Sequence, residues 1–165
     1  MKNKSECSVC LNSKAGLNCG LCNSALCKSC ALFLEEGSFS FLKKIPKDLT
    51  YSTYCPHCFD KSVAGPLEEY SKTMELAKNV NIFLKNQSKE SRIYKSDEPP
   101  ITVEDFPDAE ETLMRLAFKA VELKFNGLIA VDIYSKKVRI GGYQTLSWSG
   151  TGIPTHIHNE KSLRK

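Results

Sequence analysis

No run of apolar residues approaches the roughly 18 needed to cross a bilayer as a helix, which excludes a transmembrane segment. The opening MKNKSECSVC has no apolar stretch of the kind a secretory signal carries. A cytoplasmic, intracellular setting is therefore expected. P-loop, GxSxG, HExxH and GxGxxG patterns are all missing, so the chain is not expected to be an enzyme. Neither sign of charge dominates: 23 Lys and Arg face 19 Asp and Glu. Cysteine is absent from everything after Cys58. The scarcities end there, because 41% hydrophobic and 25% charged residues are ordinary globular usage and exclude wholesale disorder.

All eight cysteines crowd into the first 58 of the 165 residues, as four CxxC pairs: Cys7 and Cys10, Cys19 and Cys22, Cys27 and Cys30, Cys55 and Cys58. In a reducing compartment disulfides are not expected, and metal ligation is. Two thiolates two residues apart can occupy adjacent corners of a tetrahedron, and two such turns close a four-cysteine site with no open position. Four turns make two structural zinc sites, so two Zn2+ per chain are expected. If Cys22 and Cys27 served one ion, the chain would have to reverse within four residues. It is easier for Asn23 to Leu26 to run between two ions, a span of about 16 Å. Sequential and interleaved pairings both satisfy that condition. His57, inside the last pair, finds no vacancy and reads as an exposed knuckle residue. Eight thiolates and two zinc ions together would take the formal charge from +4 to zero. In the N-terminal module, through Ser62, the lysines are spread singly apart from Lys43, Lys44 and Lys47, so nucleic acid is not an expected partner.

The order CxxC-x8-CxxC-x4-CxxC-x24-CxxC, with the run Cys19-Gly20-Leu21-Cys22-Asn23-Ser24-Ala25-Leu26-Cys27-Lys28-Ser29-Cys30, resembles the core of FYVE-type zinc fingers and the wider RING, FYVE and PHD group over residues 7–60. The resemblance implies a cross-brace, pairing Cys7 and Cys10 with Cys27 and Cys30, and Cys19 and Cys22 with Cys55 and Cys58. Phosphoinositide-binding FYVE fingers carry a basic Arg/His run before the third cysteine. Here Lys14-Ala15-Gly16-Leu17-Asn18 stands in its place, and one Lys cannot supply the donors a phosphorylated head group needs. RING modules that dock ubiquitin-conjugating enzymes have an aliphatic residue in the first CxxC and a proline after the seventh ligand. Val9 and Pro56 occupy those places, as candidate partner-binding residues. A His ligand and the tighter RING spacing are missing.

The apolar stretches Ala31-Leu32-Phe33-Leu34 and Phe39-Ser40-Phe41-Leu42 are expected to form a mini-core and to pack on the second domain. Residues 66–78 read as a helix opening at Pro66, with Leu67, Tyr70, Met74 and Ala77 on one stripe. Residues 80–84 read as a strand ended by Lys85-Asn86-Gln87-Ser88-Lys89, and 101–103 as a short edge strand. A helix from Ala109 to about Phe125 is capped by Asp108 and Glu111 and stopped at Asn126-Gly127. Leu113, Leu116, Ala117, Ala120 and Val121 form its apolar face. A hairpin follows, with strands 128–134 and 138–148, a turn at Ser135-Lys136-Lys137 and a bulge at Gly141-Gly142. Asp132 is expected to face solvent, Trp148 to anchor a core, and His156 and His158 to sit on a surface tail. The pieces Asn126-Gly127-Leu128-Ile129-Ala130-Val131 and Ser149-Gly150-Thr151-Gly152-Ile153 resemble the YbjQ-like family. That resemblance implies a ring-forming α+β fold.

The expected architecture is α+β: a zinc-binding module at 1–62, a linker or bridging helix at 63–78, an α+β domain at 79–158 with a helix on an antiparallel hairpin, and a polar tail at 159–165. The expected role is a non-catalytic interaction or adaptor protein with an unidentified protein partner and a homo-oligomer formed through the second domain. A RING-type ubiquitin ligase module and a phosphoinositide-binding module are the alternatives.

Overall fold

A computed structural model of the chain describes residues 5–12, 14–87 and 93–158; Ser88, Lys89 and the polar tail lie outside the described residues. The fold is α+β, and the chain divides into two compact units, Met1–Ser71 and Lys72–Lys165. The division falls inside the helix read from the sequence as a linker or bridge. No helix among the described residues is long and apolar enough to cross a membrane.

The first unit is built from two small antiparallel ladders. β1 (Leu17–Asn18) pairs with β2 (Ala25–Leu26), and β3 (Leu32–Phe33) pairs with β4 (Thr53–Tyr54). A one-turn helix α1 (Pro56–Cys58) follows β4, with Pro56 at its first position, where a missing N–H costs nothing. The chain then winds as a π-helix over Phe59–Val63 and continues as α2 (Ala64–Lys78). The helical segment therefore opens at Pro56 and not at Pro66. Pro66 sits inside α2, where it removes an i→i−4 hydrogen bond, and the wide π turn just before it is the irregularity that interrupted helices adopt. Around this segment lies an apolar cluster of Phe39, Leu49, Tyr54 and Val63 with Leu34, Leu42, Phe59, Leu67 and Tyr70 packed against it. The Tyr70 ring meets Phe39 edge-on at 5.2 Å, and the buried Tyr54 hydroxyl donates to the Asp48 carbonyl at 2.8 Å. Leu32 and Phe33, by contrast, are exposed.

The second unit is a four-stranded sheet in the order β5-β7-β8-β6, made of β5 (Asn81–Leu84), β6 (Ile101–Phe106), β7 (Gly127–Ile140) and β8 (Tyr143–Thr155). β5 runs parallel to β7, and the other neighbours are antiparallel. The helix α3 (Ala109–Glu122) packs on this sheet. Asp108 caps it by accepting the Glu111 N–H at 2.7 Å. The helix ends before Asn126: Lys124 takes the left-handed conformation that closes a C-terminus, with φ 69°, and Gly127 already belongs to β7. Leu116 and Ala120 on α3, Val103 on β6, and Leu128 and Val131 on β7 make the core.

Two features of the hairpin differ from the sequence reading. Its turn lies at Gly141-Gly142, where Ile140 pairs directly with Tyr143, and Ser135-Lys136-Lys137 continues the strand. A two-residue loop needs positive φ at its first position, and Gly141 supplies 61° at no steric cost. The bulge lies at Ala130, with φ 51°, between the Ile129 and Asp132 registers. Strict alternation from Leu128 would bring Ala130 and Asp132 to the core face. The extra residue shifts the phase, so Leu128, Val131 and Ile133 turn inward and Asp132 turns out toward Lys85, 3.8 Å away. Trp148 is half-buried and paired with Phe106 across the ladder. His156 and His158 are exposed, but the segment is not a free tail. Ile157 is buried, its N–H donating to the Asn126 side-chain oxygen and its carbonyl accepting from the Asn126 side-chain nitrogen, and His156 lies over Phe125 with centroids 4.7 Å apart.

α3 approaches the sheet closely at Gly150, where an added Cβ would come within 2.6 Å of Ile133 and 2.9 Å of Leu116. Gly150→Val should destabilise the second unit by about 1–3 kcal/mol in a denaturant titration, with metal content unchanged. The single tryptophan, Trp148, lies in that cysteine-free unit. Its emission should hold steady when a strong chelator strips the intact chain, and a red shift on chelation would show that the second unit depends on metal.

Candidate metal centres

The positions of the cysteines follow from the antiparallel pairing of β1 and β2. Cys19 directly follows β1 and Cys27 directly follows β2, and antiparallel strands end at opposite edges of their ladder. The two cysteines therefore leave the hairpin in opposite directions. Cys27 and Cys30 gather with Cys7 and Cys10, and Cys19 and Cys22 gather with Cys55 and Cys58. The pairing is interleaved, first pair with third and second with fourth. Within each group all four Sγ atoms lie within 4.8 Å of one another.

All four pairs share one backbone device. The residue after the second cysteine donates its N–H to the carbonyl of the first: Leu11 to Cys7 at 2.8 Å, Asn23 to Cys19 at 2.9 Å, Ala31 to Cys27 at 3.0 Å and Phe59 to Cys55 at 2.9 Å. In the first two pairs that residue is left-handed, with φ 60° at Leu11 and 59° at Asn23. Asn tolerates this conformation well and Leu poorly. In the last pair the turn becomes α1, and the Cys58 N–H points at the Cys55 sulfur, 3.4 Å away. Each site thus combines one left-handed knuckle with one right-handed turn.

The sulfur geometry fits a tetrahedral ion. Cys10 and Cys27 Sγ are 3.7 Å apart, and Cys22 and Cys55 Sγ are 3.8 Å apart. These separations are far beyond a disulfide bond, and no cysteine is oxidised. Four sulfurs about 2.3 Å from a central ion would be about 3.8 Å apart. Four thiolates in tetrahedral array suit zinc or iron. Each site can therefore hold one metal ion, with every corner supplied by protein.

The protonation of the bare thiols shows why a cation belongs there. The backbone N–H groups of Cys10, Cys27 and Val9 pull the Cys7 thiol down to about 6. The Ser24 hydroxyl, 3.0 Å from the Cys22 sulfur, does most to bring that thiol down to about 6 as well. Their neighbours move the other way. Cys30 is pushed up to about 12 by the Cys27 and Cys10 sulfurs, and Cys58 to about 12 by burial and then by Cys55. Four negative sulfurs cannot share so small a volume without a positive charge among them. A divalent ion removes that repulsion and displaces the remaining protons.

His57 is exposed and outside both groups, in line with its reading as a knuckle residue. Val9 is 49% exposed within the first knuckle, and Pro56 is half-buried at the start of α1. Lys14 is exposed. Two supporting roles escaped the sequence reading. Ser24 tunes Cys22, and Gly20 is required because an added Cβ would lie 2.4 Å from the Tyr51 ring. Asn23, a residue at home in left-handed backbone, was the one visible hint of the knuckle that places Ser24. Comparison with family models, with curated proteins and with solved structures gives no match for this chain.

Protons compete with metal for the same sulfur lone pairs, so affinity should fall as pH falls, and metal uptake near neutrality should release protons. A pH-indicator titration of the reduced, metal-free chain checks this; uptake without proton release would mean that the ligands were already ionised. Cys19→Ala should lower the metal content from two ions to one or fewer.

Proposed function

We propose that the chain is a zinc-organised interaction or adaptor protein, with two structural Zn2+ ions and no reaction chemistry at either. The observation that carries this reading is closure. Both groups are complete sets of four cysteines, and a catalytic zinc needs a corner left for water or substrate. What such a module offers a partner is its surface, and its first knuckle presents Val9 and Leu11, the latter 74% exposed. The exposure of Val9 also favours a second reading, a RING-type ubiquitin ligase module docking a conjugating enzyme through Val9 and Pro56. A phosphoinositide role has less support, since Lys14 alone stands where a basic run would be needed. Self-association through the second unit would use the outer edge of β5 or β6.

Metal analysis of freshly purified, reduced protein should find two zinc ions per chain. Strong chelators should unfold the first unit, because apo structural sites of this kind rarely persist. Iron in place of zinc, or markedly less than two equivalents, would overturn the reading. An autoubiquitination assay with a panel of conjugating enzymes separates the two roles: activity abolished by Val9→Ala would establish the ligase, and silence across the panel supports the adaptor.

A further inference from the structure

The β7–β8 ribbon outruns the sheet it belongs to. β5 accompanies β7 only as far as Val131, and β6 accompanies β8 only from Trp148 onward. The residues between, from Lys136 to Ser147, pair in the sheet only with one another and form a two-stranded arm. At its end Ile140 and Tyr143 sit opposite each other across Gly141-Gly142, 68% and 84% exposed. Arg139 and Lys137 lie just behind them along the same strand, opposite Gln144 and Leu146. Lys136 is tied to Asp105 at 3.0 Å. From residue 133 to residue 158 the chain carries Lys136, Lys137 and Arg139 and not one carboxylate.

We propose that this arm docks tip-first on an anionic lipid surface. An isoleucine and a tyrosine at the far end of an arm contribute nothing to the core under α3. The interfacial layer of a bilayer accepts an apolar side chain beside an aromatic ring with a polar tip. Strand rise is about 3.4 Å per residue, so Arg139 follows the tip by about 3 Å and Lys137 by about 10 Å. That is the depth of the headgroup layer into which interfacial segments sink by about 5–10 Å. Apolar atoms at the acyl boundary and cations among the phosphates match the order of the arm from its end backward. A nucleic acid would reward the cations alone. Arg139 and Lys137 are the arm's two cations with no acidic partner among the described residues, enough to neutralise about two phosphates. The apolar tip would then have no use.

The test is co-sedimentation of the full, metal-loaded chain with vesicles of equal parts phosphatidylcholine and phosphatidylserine, against phosphatidylcholine alone. Binding to the anionic vesicles only, weakened by salt, is expected. Lys137→Gln with Arg139→Gln should weaken it about thirtyfold. Ile140→Ser with Tyr143→Ser should weaken it at least tenfold. All four side chains are exposed, so the variants should keep the parent melting temperature. Failure to sediment, equal binding to neutral vesicles, or binding that survives both double variants would each overturn the proposal. So would tighter binding to duplex DNA or RNA than to the vesicles, or a dimer that the tip variant dissolves.

Discussion

Mutual repulsion among thiolates is the constraint from which the first unit is built. Four sulfurs within 4.8 Å of one another cannot all carry charge unless a cation sits between them; neighbouring sulfurs hold the proton on Cys30, and burial, then Cys55, holds it on Cys58. The same sulfurs are also the core. One apolar cluster consists of Cys7, Cys19, Cys27 and Cys55 together with only Leu26 and Ala31 as further buried residues. Beside it this unit of about seventy residues has one further small apolar cluster, around Phe39, Leu49, Tyr54 and Val63, and metals are a usual means of stabilising so small a scaffold. On the proposed reading, its folding and its metal binding are two descriptions of one equilibrium.

The second unit works on the opposite principle. Apolar burial under α3 stabilises it, and its demands are steric: a glycine at Gly150 where helix and sheet meet, and a bulge at Ala130 that sets which side chains face inward. The bulge shows how one irregular residue settles the fate of a charge. Asp132 would be an unpaired carboxylate in the core without it, and is a solvated ion-pair partner of Lys85 with it.

On the reading proposed above, closed metal sites move function from the ions to the surfaces that the ions hold in place. Knuckles are short loops on a rigid support, and exposed apolar side chains on them are positioned at little entropic cost. Val9 and Leu11 on the first knuckle have that character. Ile140 and Tyr143 at the ribbon's end share it, with hydrogen-bonded strands as the support.

Much of this was legible in the order of the residues. The candidate ligand pairs were readable because CxxC spacing is a local property, set by the few bonds between two side chains. The cap at Asp108, the apolar stripe of α3 and the edge strand that opens at Ile101 were readable for the same reason, since each depends on residues within a turn or two. The sequence could not place the hairpin turn, because Ser135-Lys136-Lys137 is as polar as a turn and only the pairing of Ile140 with Tyr143 shows the strand passing through it. It could not place the bulge either, since an alanine gives no sign of positive φ. By itself the sequence determined the four CxxC pairs, enough cysteines for two four-thiol sets, and a cysteine-free remainder. Only the tertiary structure decided which four sulfurs gather into each set, because that choice depends on the direction in which each strand leaves the β1–β2 ladder, and direction is a property of the paired strands and not of either segment alone.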